Sequence, residues 1–383
     1  MPSPGLASEL AVSSKHSSEV TWVRFSRWSW SIQGRLPSCE RCTRDGSEEN
    51  KRGMGSVRAA VPSLRRVLPA VVWFDWLVLA VCGWLVAGGS LDAWAHAHVL
   101  TLDTFFTPWH GVLYTGYAAC AIVLGGRWLR THSLPRGYEL SLLGCGMFAV
   151  AGLFDLLWHT VFGIERNIAA ILSPSHLLLA VAMGFIVTGP LRASRAVQGR
   201  RAPGIAVFGA ALVFSYVGLV TEFAQPYVDR VAATPSGLIG LSYGRAVELG
   251  LFGVMLQTAL LVGLVLKMRQ RFELPFGSLT LIVGLNGFLL GAINNLDFMV
   301  LVAVLGGLAG DVWLWLLRDR TSVFAFAFPA TLYACYFASL QLVYGRWWEV
   351  HTLTGTIVAA GLTGWLVSIL LRHPTPAPPY IRE

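Results

Sequence analysis

From Val67 onward the chain is a succession of apolar runs, each about 19–25 residues long, separated by short polar breaks. A helix of that length matches the ~30 Å hydrocarbon core of a bilayer. Backbone groups in lipid must be satisfied within the segment, and runs without strict alternation are helices rather than barrel strands. The expected fold is therefore all-α, a polytopic transmembrane helical bundle. Composition agrees: 55% hydrophobic residues, 13% charged residues and a mean hydropathy of +0.59 lie outside the soluble globular range.

Ten spans are expected, at about 67–89, 107–128, 138–161, 174–193, 203–223, 243–266, 275–293, 298–317, 323–344 and 351–371. Loop charges give their orientation. Arg127, Arg130, Arg136, Arg192, Arg195, Arg200, Arg201, Lys267, Arg269, Arg271, Arg318, Arg320, Arg372 and Arg382 fall on one side. Only Arg166, Arg230, Arg245 and Arg346 fall on the other. Fourteen against four, alternating through every loop, puts both termini in the cytoplasm by the positive-inside rule. Of the 29 basic residues only three are Lys, a bias typical of GC-rich bacterial coding, so the expected location is the bacterial cytoplasmic (inner) membrane.

Flanking this 54–372 membrane domain, residues 1–53 are polar, Ser-rich and aperiodic, and read as a disordered or mis-called extension before Met54 and a basic flank. Residues 373–383 form a short Pro-rich cytoplasmic tail. The net charge of +8 is concentrated in the N-terminal stretch, with no basic stripe interleaved with aromatics, which excludes nucleic acid as a partner. Cys82, Cys120, Cys145 and Cys335 lie within apolar runs, and the single Cys39-x-x-Cys42 lacks the second pair a zinc ribbon needs. No internal repeat is convincing on inspection, so an inverted-repeat transporter is not indicated.

With orientation assigned, His96, His98, His110, His159, His176 and His351 all gather at the outer end. Ionisable groups at membrane depth are costly, so such a gathering is a functional hypothesis by default. Asp155 and His159 are four apart and share a helix face; Asp92 and His96 repeat that spacing in a Ser90–Leu102 loop, expected to form a short interfacial helix capped by Ser90. Pro108 and Pro174 place His110 and His176 in the first turns of their spans. The expected metal ligands are Asp155, His159, His176, His110, His96 and His351, with Asp155, His159 and His176 the strongest subset. His98 is the weakest of the group, because two residues from His96 it cannot share a helical face with it. Imidazole and carboxylate donors suit copper, zinc or iron, copper and zinc first. Asp155 and Glu165 are the candidate bases should such a metal activate water.

Elsewhere, Asp75 and Asp311 lie in the inner halves of spans one and eight, Arg245 and Glu248 are expected to pair, and Glu222 and Asn286 to hydrogen-bond between helices. No phosphate loop, dinucleotide fingerprint, nucleophile elbow or H-E-x-x-H occurs.

The run from Phe106 to Leu177, with T-P-W-H-G, D-L-L-W-H-T-V-F-G-I-E and S-P-S-H-L, resembles an uncharacterised family of bacterial polytopic membrane proteins. The segment from Phe324 to Gly355 is similar to that family's C-terminal part. The resemblance implies a multi-pass bundle and no established activity. Asp155, His159 and His176 are also locally similar to the Asp/His/His copper site of particulate methane monooxygenase C subunits, although the third ligand is further along this chain. Membrane ceramidase-like hydrolases likewise combine His, Asp and Ser around zinc, but their seven-span layout and motif order differ. Three readings stay open at this point: a metalloprotein, and with it an enzyme on a lipid or small apolar substrate; a transporter using the outer histidines and inner acids as gate or proton relay; and a b-type haem protein with His110 and His176 as axial ligands.

The topology is checked by reporter fusions. Fusions after Arg130, Arg195 and Arg269 should report cytoplasm, and fusions near Asp229 and Asp297 the outside; two successive loops on one side would overturn the assignment.

Overall fold

The computed structural model describes residues 61–99, 106–163, 168–195, 204–228, 231–234, 240–296, 298–345 and 347–372. The polar stretch 1–53, Glu165 and the Pro-rich tail lie outside the described residues. Within them the chain forms α1 (Val61–His98), α2 (Pro108–Thr131), α3 (Glu139–Phe162), α4 (Ile168–Leu172), α5 (Pro174–Val187) and α6 (Gly189–Ser194). It continues with α7 (Gly204–Val220), α8 (Tyr243–Arg269), α9 (Ser278–Gly291), α10 (Phe298–Leu316), α11 (Thr321–Tyr344) and α12 (Val350–Leu370).

Eight stretches are long and apolar enough to cross a membrane: Trp73–His98, Pro108–Thr131, Glu139–Phe162, Pro174–Ser194, Tyr243–Arg269, Phe298–Leu316, Thr321–Tyr344 and Val350–Leu370. α7 and α9 are apolar but shorter, at 17 and 14 residues. At 1.5 Å per residue they reach about 26 and 21 Å. The ten apolar runs are therefore ten helical segments, two of them short.

Two apolar cores organise the bundle. In the first, α1, α2, α3 and α5 meet through Cys82, Leu85, Cys120, Phe148, Ala182 and Ile186, all essentially without solvent exposure. The second is built from α7 to α12 around residues such as Leu279, Ile282, Met299, Phe324 and Phe328. Close helix approach in the first core relies on glycine. A Cβ at Gly116 would sit 2.9 Å from the Leu85 backbone, and one at Gly88 would sit 2.8 Å from Leu113 Cα. Small residues at such crossings let dispersion contacts accumulate where lipid offers no hydrophobic drive.

The first span differs from its sequence expectation. It does not end at residue 89 but runs on as helix to His98, so Asp92 and His96 ride its last turns. Ser90 Oγ donates to the Val86 carbonyl four residues back, at 3.2 Å. Its hydroxyl is thus satisfied within the helix and caps nothing.

The inner acids have structural employment. Asp311, 1% exposed on α10, accepts from the Leu279 and Thr280 amides at 3.0 and 2.9 Å and from Thr280 Oγ1 at 2.7 Å. It caps the N-terminus of α9, whose own N-cap, Gly277, has no side chain to do so. Asp75 accepts from the Tyr138 hydroxyl at 2.9 Å, tying α1 to the start of α3. Arg245 and Glu248 do pair, at 2.6 Å, but on the exposed surface, where such a contact contributes little. Asn286 donates at 3.5 Å to the Phe214 carbonyl of α7; its interhelical partner is this backbone oxygen and not Glu222.

Replacing Asp311 by Ala orphans two buried amides at the start of α9. We expect a loss on the order of 2–4 kcal/mol, read as a lower unfolding temperature in detergent, with Asp311→Asn losing less.

Candidate metal centre

Four helix ends meet at one end of the first core: the C-termini of α1 and α3 and the N-termini of α2 and α5. Each delivers a histidine. At the start of α2, Thr107 is an extended N-cap residue (φ −103°, ψ 156°), and Pro108 fills the first turn, where no amide is missed. Thr107 Oγ1 accepts from the His110 amide at 3.2 Å and lies 3.0 Å from His110 Nδ1. The start of α5 repeats the device. Ser173 is the N-cap residue, Pro174 follows, and Ser173 Oγ accepts from the His176 amide at 3.4 Å while lying 2.7 Å from His176 Nδ1. One hydroxyl in each turn both caps the helix and orients the imidazole, leaving Nε2 to face the interior of the site.

His159 is oriented by other means. Gly163, at φ 82°, closes α3 in a backbone conformation that disfavours any side chain. Its carbonyl lies 3.1 Å from His159 Nδ1. A carbonyl only accepts, so Nδ1 carries a proton, which in a neutral imidazole leaves Nε2 as the lone-pair atom available to a metal.

These Nε2 atoms converge on two carboxylates. Asp155, 1% exposed, places Oδ1 3.4 Å from His159 Nε2 and 3.5 Å from His176 Nε2. That oxygen makes no hydrogen bond. Asp92 Oδ2 stands 3.8 Å from both His96 Nε2 and His110 Nε2. Within Asp92, His96 and His110, and within Asp155, His159 and His176, one donor atom from each residue lies within 4.8 Å of the others. Tetrahedral bonds of 2.0–2.2 Å hold neighbouring donors about 3.4 Å apart. The Asp155 set already has nearly that spacing around its carboxylate, and the Asp92 set is slightly more open. The two sets adjoin, with the His96 and His176 rings 6.5 Å apart, the His96 and His110 rings 6.0 Å and the His159 and His176 rings 5.3 Å.

Five of the six expected ligands are thus brought together, as two groups instead of one. His351 is not among them. Its ring lies 3.2 Å from Glu349, with both side chains exposed, on α12, which packs against α11 and α8 in the other core. Asp92 belongs to the centre although the expected ligand set omitted it. Its D-x-x-x-H spacing to His96 was visible, but an assumed loop break at Ser90 separated it from the span. Tyr114 lines the centre too, its ring 6.3 Å from His110 and its hydroxyl filling the space left by Gly152. His98 is held apart, stacked on Trp94 at 5.2 Å and 3.1 Å from Asn295 Nδ2.

Thr107→Ala and Ser173→Ala should each cost about 1 kcal/mol by loss of the cap, read by thermal unfolding; Ser173→Thr should restore most of it. No family model, curated protein or solved structure matches this chain.

Proposed function

We propose that this is a membrane-embedded metalloprotein, binding a transition metal on two-histidine, one-aspartate ligand sets at one end of its bundle. The observation that carries the reading is Asp155 Oδ1: a buried carboxylate oxygen that no hydrogen bond satisfies, facing the Nε2 atoms of two oriented imidazoles. Burying a carboxylate costs several kcal/mol unless a cation or donors compensate it. His159 Nδ1 donates to the Gly163 carbonyl, and its Nε2 stands 3.4 Å from the same carboxylate oxygen. A metal ion between them would bond both atoms, and the hydrogen bond at Nδ1 is the usual orienting partner of a ligating imidazole.

The donor set is nitrogen and oxygen without thiolate, which suits copper, zinc or iron and disfavours a dedicated Cu(I) carrier. Three protein ligands leave a position open, the mark of a site that takes a substrate or water. α3 presents Val150, Leu153, Leu157 and Val161 outward, so the centre stands one helix from the lipid, within lateral reach of a lipid or small apolar substrate. Asp155, as a ligand, is then unavailable as the base. The inner acids of the transporter reading are engaged as cap and tether, Asp311 with α9 and Asp75 with Tyr138. The haem reading is disfavoured because both intended axial histidines direct Nε2 at a carboxylate.

Elemental analysis of the full chain purified in detergent, from cells grown with copper, zinc and iron, is the test. Stoichiometric transition metal is expected, with a matching loss in His159→Ala that leaves helicity and thermal unfolding intact. Folded protein that neither carries metal nor takes up added Cu(II), Zn(II) or Fe(II) would sink the reading.

A further inference from the structure

The two ligand groups sit in the same sequence frame. Cys82-Gly83, Gly89, Asp92 and His96 fall at spacings repeated by Cys145-Gly146, Gly152, Asp155 and His159, giving C-G-x5-G-x2-D-x3-H twice, 63 positions apart. Each frame ends a helix, and each is followed by a capped turn of the form Thr/Ser-Pro-x-His that opens the next long one: Thr107 to His110, then Ser173 to His176. The second connection is three residues longer, and it contains the five-residue helix α4. Each carboxylate and imidazole of the two triads therefore occurs once per hairpin, α1–α2 and α3–α5.

Packing treats the hairpins as equivalents. At the frame's cysteine, Cys82 of α1 contacts the other hairpin's second helix, its Sγ 3.8 Å from the Ile186 carbonyl of α5. In return, the Cys145 carbonyl of α3 accepts at 3.0 Å from Tyr117 of α2. At the frame's glycine the exchange recurs. A Cβ on Gly89 would lie 3.0 Å from Leu219 of α7 and 3.6 Å from Met183 of α5, and one on Gly152 3.0 Å from Tyr114 of α2. The first helix of each hairpin thus leans, at matching positions, on the second helix of the other. That is the reciprocal contact pattern of two like units around an approximate two-fold axis. The arrangement brings the ligand groups against each other, His96 of one beside His176 of the other.

We infer that α1–α2 and α3–α5 are two copies of one metal-binding module, and that their Asp92/His96/His110 and Asp155/His159/His176 triads form a two-metal centre whose open positions share a small oxygen ligand, such as water or hydroxide. The inference rests on the metal reading above and adds number, symmetry and ligand class to it. A single mononuclear site would leave one of the two carboxylates at this helix junction without a cation. Two ions place one on each, and paired ions a few ångströms apart clamp an oxygen ligand between them.

Cu(II) is the probe, added to the full chain stripped with chelator, with copper-to-protein ratio and electron paramagnetic resonance as readouts. About two Cu(II) per chain and a half-field transition from a coupled pair are expected. His110→Ala and His176→Ala should each retain about one Cu(II), lose the half-field signal and keep an ordinary mononuclear spectrum; the double variant should retain none. His110→Gln and His176→Gln, checked by thermal unfolding, guard against loss of fold. One Cu(II) in the unmodified chain, abolished by either variant, would mean a single site shared by all six residues and would overturn the inference while preserving the metal reading. Two uncoupled ions would overturn the shared ligand. No copper and no zinc in a folded, unmodified chain would overturn both.

Discussion

A bilayer supplies no water to a carboxylate, and the burial of Asp155 is the constraint around which the first half of this molecule is arranged. Its oxygen must be answered from the protein side, so the histidine-bearing helix ends have to arrive at one depth with their rings correctly turned. Antiparallel hairpins solve the depth problem, because the C-terminus of one helix and the N-terminus of the next lie at the same end of the bundle. Hydroxyl caps solve the orientation problem. Thr107 and Ser173 use lone pairs on one oxygen for the helix amide and leave the same group beside Nδ1, so the local signal that starts the helix also aims the ring. Glycine permits the rest: the backbones of α1 and α2 approach closely at Gly88 and Gly116.

A second deeply buried acid shows why burial alone is a poor guide to function. Asp311 is as hidden as Asp155, at 1% exposure, yet two backbone amides and a hydroxyl saturate it. It is a helix cap supplied by a neighbouring helix. Asp155 faces imidazoles and no amide. In a membrane chain the distinction between a structural and a chemical carboxylate lies in what answers it, and only the fold displays that.

Much of the fold was legible because lipid imposes one crude requirement, a run of apolar residues long enough to cross, and each of the ten runs became a helix. The misreadings have local causes. Ser90 followed by Asp92 has the composition of a helix start, but in an already apolar helix its hydroxyl bonded back to Val86, and the helix continued. That misplaced Asp92 in a loop and hid its correspondence with Asp155. His351 shared an expected depth with the other histidines, and depth does not specify which core a helix joins; α12 packs on α8 and α11. The repeated frame was present in the sequence throughout. It is carried by five sparse positions amid interchangeable apolar residues, and its two connections differ by three residues, which defeats a search for a fixed period.

The second core has no equivalent triad among the described residues, but it is not indifferent to the first. Asn295, held at φ 54° in the turn after α9, sits 3.4 Å from the Trp94 indole nitrogen and 3.1 Å from His98 Nε2. Trp94 lies between Asp92 and His96 on α1 and packs edge-on against Trp109, the neighbour of His110. These contacts join the α9–α10 turn to the two helix ends that carry the Asp92 triad. The two ligand sets are alike in sequence spacing and unlike in geometry: Asp155 Oδ1 lies 3.4 and 3.5 Å from its two imidazoles, Asp92 Oδ2 3.8 Å from each of its own. On the two-metal reading proposed above, the closer Asp155 set is the one suited to anchor an ion, and the more open Asp92 set the one with room to admit a ligand.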